Sequence, residues 1–66
     1  MAVVNNLKET RRRHGVPQKD IAEATGYSIK TIGRVERCEQ DPSAEFMLRV
    51  AAYFKMMVED IFKVEE

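Results

Sequence analysis

Apolar residues recur along the chain at helical spacing, and glycine residues divide this pattern into short segments. The first predicted helix starts from a cap at Asn5 or Asn6 and runs to about Arg13. It ends there because Gly15, just beyond, is the residue type that most often closes a helix in the left-handed conformation. The second predicted helix is QKDIAEAT, and Gly26 ends it in the same way.

The third segment, IKTIGRVER, has Ser28 as a suitable N-cap and places Ile32 and Val35 on one face. Only about three residues, with Gly26 among them, separate it from the second segment. So short a connection makes the two helices cross sharply, and Ala22 is small enough for the close packing that such a crossing needs. The pattern predicts a helix-turn-helix over about residues 18–37, with an ordinary helical hairpin as the alternative.

The C-terminal half predicts two more helices and a short strand. The turn DPS precedes the most apolar helix, Ala44–Phe54, and a short helix covers about Val58–Ile61. The predicted buried face of the longer helix consists of Met47, Leu48, Ala51 and Phe54. Both chain ends are strand-like, at residues 3–4 and 62–64, and termini of small domains often lie close together. We therefore expect an all-α fold in which a tiny two-stranded sheet joins the termini, with frayed ends as the alternative.

Length and composition narrow the class of protein. The 66 residues, 44% of them apolar, predict a single globular domain over residues 1–66. A chain of this size buries only about 60% of its surface on folding, which leaves little room for a deep catalytic cleft. No apolar run suits a signal peptide or a membrane span, and the lone Cys38 fits a reducing cytoplasm. We expect a cytoplasmic protein without membrane association.

The formal net charge is zero, but the charges are unevenly distributed. Residues 1–37 carry eight Lys and Arg and four Asp and Glu, a net charge of +4. Residues 38–66 carry three Lys and Arg and seven Asp and Glu, a net charge of −4. Such a domain could present a basic face to nucleic acid, and a surface of scattered solvated charges is the alternative.

The sequence resembles the Cro/repressor-like (XRE-type) helix-turn-helix family over nearly its whole length. The matching stretches are NNLKETRRRHG, QKDIAEATGYSIKTIGRVER, DPS, LRVAAYF and VEDIF. The resemblance implies a five-helix, lambda-repressor-like bundle that regulates transcription. We expect a repressor, with an activator as the alternative. The resemblance also implies a homodimer bound to a two-fold symmetric double-stranded DNA operator.

The chain departs from the family pattern at four positions. Pro17 stands where the family favours a capping Thr or Ser, and Cys38 replaces a common Gly. Lys55 and Met57 replace a Gly and a Ser between the last two helices. Since Pro17 still suits the first turn of the second helix, these departures affect local stability more than the motif.

The helix at about 29–37 is expected to enter the DNA major groove, because Ile32 and Val35 face inward and leave the opposite side exposed. Arg34 on that side could donate two hydrogen bonds to guanine, and Lys30 could contact either a base or a phosphate. The residues predicted to face the groove are Ile29, Lys30, Thr31, Gly33 and Arg34. Two explanations remain open for Gly33. It could allow close approach to the DNA backbone, or it could be an incidental glycine on an exposed face.

Phosphate contacts are expected to hold this helix in register. Helix N-termini favour anions, and cationic side chains add charge. The residues predicted for this role are Gln18, Ser28 and Ser43 at helix starts, together with Lys19 and Arg37. Glu39 and Asp41 should repel phosphate and thus lower affinity or reshape their loop.

Two other groups of residues have predicted structural roles. The resemblance implies a largely buried ion pair between Arg11 and Glu36. Met and aromatic side chains near the acidic end either pack in the core or form the dimer interface; they are Tyr53, Met56, Met57 and Phe62.

No residues in the sequence are arranged for catalysis. His14 lacks partners at metal-ligand spacing, and no phosphate loop or nucleophile turn is present. We therefore expect no enzymatic activity, metal, cofactor or small-molecule ligand. The alternative to DNA binding is an antitoxin or accessory protein that uses the same fold to bind another protein.

Overall fold

The computed structural model describes residues 2–65, which form five helices and two short strands. In chain order these are β1 (Ala2–Asn5), α1 (Leu7–His14), α2 (Gln18–Thr25), α3 (Ile29–Glu36), α4 (Ala44–Phe54), α5 (Val58–Ile61) and β2 (Phe62–Glu65). The predicted fold class is confirmed, including the small sheet between the two ends of the chain. Within this part of the chain, no helix is both long enough and apolar enough to cross a membrane.

The two strands are antiparallel and bring the ends of the chain together. Val3 lies opposite Val64, and Asn5 lies opposite Phe62. The backbone N–H of Asn6 donates to the carbonyl of Ile61 at 3.0 Å, which extends the connection to the start of α1. The sheet thereby ties α1 to α5.

The helix ends follow the residue types that the sequence offers. Gly15 and Gly26 adopt left-handed conformations, with φ of 66° and 79°, directly after α1 and α2. The Ser28 hydroxyl caps α3 by accepting from the N–H of Thr31 at 3.1 Å. Pro17 is the N-cap residue of α2 and lies just outside the first turn, one position earlier than predicted.

The core lies where the helices meet beneath the sheet. Its buried apolar side chains are Leu7, Ile21, Ile32, Val35, Phe46, Val50, Phe54, Ile61 and Phe62. α2 is central to this arrangement because it packs against both α3 and α4. The helix-turn-helix is thereby supported from behind by α4.

The predicted buried face of α4 was partly wrong. Phe46 and Val50 are fully buried, whereas Leu48 is 62% exposed. Since each residue turns a helix by about 100°, Leu48 lies about 200° round from Val50 and faces solvent. The sequence pattern placed the centre of the apolar stripe too far round the helix.

Two residues other than glycine also adopt the left-handed conformation, Cys38 after α3 and Lys55 after α4, with φ of 60° and 57°. After α3, the N–H of Cys38 donates to the carbonyl of Val35 and the N–H of Glu39 to that of Arg34, at 3.0 and 2.8 Å. This pair of bonds is the Schellman arrangement, in which Gly is the usual residue at the left-handed position. Cys38 and Lys55 are the two positions at which this sequence has another residue where the family pattern has Gly.

Candidate nucleic-acid interface

The helix α3 presents one buried and one exposed side. Ile32 and Val35 are buried against the core. On the opposite side Ile29 is 49% exposed and Lys30 and Arg34 are exposed. We refer to Ile29, Lys30 and Arg34 as the outer face of α3. Among residues 2–65, neither Lys30 nor Arg34 forms a salt bridge. Both cations on the outer face are therefore available to bind an anionic group of another molecule.

The N-terminus of α3 is capped by the hydroxyl group of Ser28, which also contacts that of Thr31. Ser28 accepts from the N–H of Thr31, and the Ser28 hydroxyl donates to Thr31 Oγ1 at 3.0 Å. Backbone N–H groups in the first turn of a helix lack partners within it, so this end of α3 favours an anion. Ser28 and Thr31 therefore shape the helix start and lie beside the outer face.

The carboxylate of Glu36 connects three helices. Arg11 of α1 donates to it twice, from Nε to Oε2 at 2.5 Å and from Nη2 to Oε1 at 3.0 Å. Arg11 also donates to the carbonyl of Val16 at 3.1 Å. The side chain of Glu36 is only 3% exposed, so the structure contains the largely buried ion pair that the resemblance implied.

Gln18, at the start of α2, is oriented differently from the prediction. Its amide Nε2 donates to Glu36 Oε1 at 3.0 Å, so the side chain is turned toward the ion pair and not outward to a phosphate. Lys19 beside it is exposed, as its predicted role requires. The sequence contained a signal for this contact that was missed. A buried Glu36 carboxylate has more hydrogen-bond acceptor positions than Arg11 alone fills, and Gln18 supplies a further donor.

Gly33 does not lie on an exposed face, so the interpretation of it as an incidental exposed glycine was wrong, and its approach to the DNA backbone stays a prediction. It is buried, and the Arg37 guanidinium covers it. A Cβ at this position would lie 3.1 Å from Arg37 Nη1 and 3.8 Å from Gln18 Nε2. The absence of a side chain at residue 33 thus gives the Arg37 side chain space to fold back along α3.

Arg37 is already paired, in contrast to its predicted availability for phosphate. Its Nε donates to Glu39 Oε2 at 2.7 Å and its Nη2 to Oε1 at 3.3 Å. The hydrogen bond from Arg37 lowers the pKa of Glu39, and the same bond raises the pKa of Arg37. The sequence identified Glu39 as a repulsive charge near DNA but did not identify its partner.

Ser43, the third hydroxyl predicted to contact phosphate, caps α4. It accepts from the N–H of Phe46 at 3.0 Å, and its Oγ lies 2.5 Å from the Tyr27 hydroxyl. The Tyr27 ring packs edge-on against Phe46, with ring centroids 5.0 Å apart. Tyr27, which sequence reasoning missed, therefore connects the turn of the helix-turn-helix to the start of α4.

The residues predicted near a dimer interface divide into two groups. Met57 is 63% exposed, Tyr53 is also exposed and Met56 is half-buried. Phe62 is buried, with its ring edge-on to Phe46, so its assignment to an interface was wrong. It belongs to the core because the inward side of β2 faces α4.

His14 is occupied by contacts within the fold. Its Nδ1 lies 2.9 Å from the carbonyl of Thr10, and its ring packs against Phe54 with centroids 5.0 Å apart. In the part of the chain that the structure describes, no three His, Cys, Asp or Glu side chains are grouped as metal ligands.

The comparisons with known sequences agree with this geometry. The family model described as a helix-turn-helix domain matches residues 3–61. An uncharacterized HTH-type transcriptional regulator of Methanocaldococcus jannaschii is 37% identical over 62 residues, with 94% of each chain covered. The uncharacterized HTH-type transcriptional regulator YgzD of Bacillus subtilis is 34% identical over 62 residues, again with 94% of each chain covered.

Two crystal structures have similar folds. One is of a protein from Bacteroides fragilis that has been proposed to bind DNA. It has a TM-score of 0.83 at 21% identity, with 92% of this chain and 98% of that chain covered. The other, a transcriptional regulator from Listeria innocua, has a TM-score of 0.79 at 22% identity, with 96% of this chain and 64% of that chain covered. At these identities the likeness supports the fold alone.

Proposed function

Because the chain belongs to the XRE-like helix-turn-helix family of DNA-binding transcriptional regulators, we propose that it binds a specific double-stranded DNA operator with α3 in the major groove. The observation that carries this proposal is the outer face of α3. A helix that buries one side and leaves two unpaired cations on the other has the shape and charge that the major groove accepts. Such a role would place the protein in the cytoplasm with the DNA.

Each residue of the outer face has a distinct proposed contact. Arg34 donates two hydrogen bonds to O6 and N7 of a guanine, the commonest specific contact in the major groove. Lys30 contacts a base edge or a phosphate, and Ile29, which has no polar atom, packs on a thymine methyl group. Thr31, at the helix start, reaches a base or the adjacent phosphate.

The phosphate contacts come from the helix starts and from Lys19. Ser28 and Ser43 each cap a helix whose first N–H groups favour an anion. Gln18 contributes mainly through the backbone N–H groups of the first turn of α2, since its amide is held by Glu36. These contacts fix the register of α3 without reading sequence.

We further propose that the protein is a homodimer that represses transcription by occupying its operator. Two-fold dimers are the commonest oligomers, and Met and aromatic side chains are enriched at interfaces. The exposed Met57 and Tyr53 and the half-buried Met56 support an interface near the junction of α4 and α5.

The test is a selection of bound duplexes from a random DNA pool at a stated salt concentration. We expect one enriched sequence with two-fold symmetry. The control is a variant with Ile29, Lys30 and Arg34 all changed to Ala; these side chains are exposed, so circular dichroism should show an intact fold. Enrichment of the same sequence by this variant would contradict the use of α3 for sequence recognition, and no enrichment by the wild-type protein would contradict specific DNA binding.

A further inference from the structure

Arg37 continues the line of cations along α3. Lys30, Arg34 and Arg37 are separated by four and three residues, the spacings that place side chains on one side of a helix. The guanidinium of Arg37 folds back over the bare backbone at Gly33, and the side chain is still 60% exposed. Arg37 therefore lies at the C-terminal end of the outer face.

The carboxylate of Glu39 holds this guanidinium on two nitrogens, at 2.7 and 3.3 Å. The backbone fixes Glu39 in place, because its N–H returns to the carbonyl of Arg34 at 2.8 Å. The left-handed turn at Cys38 makes that return possible. This bond holds the backbone of Glu39 at the end of α3, so that only its exposed side chain can move away from Arg37.

Glu39 also differs from the other carboxylate near Arg37. Glu36 is already paired with Arg11, whereas Glu39 has Arg37 as its salt-bridge partner in the described part of the chain. The field of Arg34 acts on Glu39 as well and contributes to lowering the pKa of its carboxyl group. Glu39 is therefore the acidic group that pairs with Arg37 at the end of the outer face, and it also lies within the field of Arg34.

We propose that Glu39 is an intramolecular competitor of DNA phosphate for Arg37, and so lowers the sequence-independent affinity of the protein for DNA. Glu39 occupies the Nε–Nη2 edge of the guanidinium, and Nη1 lies against the helix, 3.1 Å from the Cβ position of Gly33. A carboxylate and a phosphate offer the same paired oxygens, so only one of them can occupy that edge. Both side chains are more than half exposed, and an exposed ion pair is weak enough to be exchanged. This inference rests on the proposed function, because it assigns a regulatory role at the same surface.

The competition has a measurable signature in the salt dependence of binding. Each phosphate that a protein neutralises adds about 0.9 to the magnitude of the slope of log K against log salt concentration. If Glu39 withholds Arg37, then Glu39→Gln should steepen the slope by about one contact. It should also raise affinity at low salt on the order of threefold to tenfold.

The experiment measures the Kd for a labelled random-sequence duplex of about 30 base pairs at salt concentrations from about 50 to 200 mM. The proteins are wild type, Glu39→Gln, Arg37→Ala and the double variant. Asp41→Asn is the matched control, because Asp41 carries the same charge in the same loop but does not pair with Arg37. All three positions are exposed, and a thermal melt of each variant checks the fold.

We expect Glu39→Gln to bind more tightly with a steeper slope, and Asp41→Asn to have a smaller effect. Arg37→Ala should lose more affinity in the Glu39→Gln background than in the wild-type background. A gain that persists without Arg37, or an equal gain from Asp41→Asn, would overturn the inference and leave only a general effect of loop charge. Failure of every protein to bind the random-sequence duplex would also overturn the inference, because there would be no sequence-independent affinity for Glu39 to lower. The operator selection tests the proposed function separately.

Discussion

Arg34 and Lys19 are both exposed cations, but they should make different kinds of contact with DNA. Arg34→Ala should remove the preference at one base pair, worth about 1–3 kcal/mol, while general DNA binding remains. Lys19→Ala should weaken binding to all sequences equally and make the salt slope shallower by about one. The measurement is the Kd of each variant for the selected operator and for its single-base-pair substitutions, over a range of salt concentrations.

Each half of this comparison can fail separately. A uniform loss across all sequences would assign Arg34 to a phosphate. An unchanged slope for Lys19→Ala would remove Lys19 from the phosphate contacts.

Cys38 and Lys55 adopt a backbone conformation in which a Cβ is unfavourable. Cys38→Gly and Lys55→Gly should each raise the free energy of unfolding by about 1 kcal/mol, because relief of the strain exceeds the extra entropy that Gly has in the unfolded chain. In a domain of this size that raises Tm by about 4–8 °C. Ala52→Gly, in the exposed side of α4, is the control and should lower the stability by a similar amount. Stabilisation by Ala52→Gly as well, in thermal or urea unfolding, would show that the left-handed geometry is not the cause.

At the scale of the helices, the Arg11–Glu36 ion pair joins α1 to the end of α3. Arg11→Met or Glu36→Gln alone should lower the free energy of unfolding by about 3–5 kcal/mol, because each leaves a buried group without its partner. That loss approaches the whole stability of a small domain, so Arg11→Lys, which keeps the charge, is included as the milder variant. Urea unfolding measures each variant and the Arg11→Met/Glu36→Gln double variant.

We expect the double variant to lose less stability than the two single losses combined. Additive losses would show that the two side chains contribute independently, in spite of their close contact.

The sequence predicted the existence and approximate bounds of every helix, because Gly15, Gly26, Ser28 and Ser43 stop or start helices by local chemistry. It failed where the answer depends on contacts between elements. The burial of Leu48 was wrong, since the rotation of α4 about its axis is set by how Phe46 and Val50 pack in the core.

For the candidate site, the sequence likewise predicted features of a single helix but not contacts between elements. The outer face of α3 follows from helical periodicity, which the chain displays directly. The partners of Gln18 and Arg37 do not, because the Gln18 side chain turns toward a carboxylate that α3 brings within reach. Arg37 needs both the bare backbone at Gly33 and the turn that returns Glu39 to the helix. These are properties of the assembled fold.

At the scale of the whole molecule, Met57 has one structural role, at the start of α5, and one proposed role, in the dimer interface. It occupies the N-cap of α5, where its side chain offers no oxygen to the first turn, so Met57→Ser should stabilise the monomer by about 1 kcal/mol. If Met57 also lies in the dimer interface, the same change should shift the protein toward monomers and reduce the dependence of Tm on concentration. Leu48→Ser is the matched control, since Leu48 is equally exposed but lies outside the predicted interface.

Sedimentation equilibrium distinguishes the outcomes. Dissociation by Leu48→Ser and not by Met57→Ser would place the interface on the solvent side of α4. A wild-type protein that stays monomeric at all concentrations would contradict the proposed homodimer.

A two-fold dimer also constrains the DNA. Its two copies of α3 can enter the major groove together only if they are about 34–36 Å apart, one helical turn. Inserting about five base pairs between the half-sites turns one of them to the opposite side of the duplex. Binding should then fall to the weaker affinity of a single half-site. An insertion of about ten base pairs returns both half-sites to the same side of the duplex but leaves them too far apart, so binding should stay at the affinity of a single half-site. A footprinting titration on the three operators measures this, and equal protection of all three would show that each subunit binds its half-site independently.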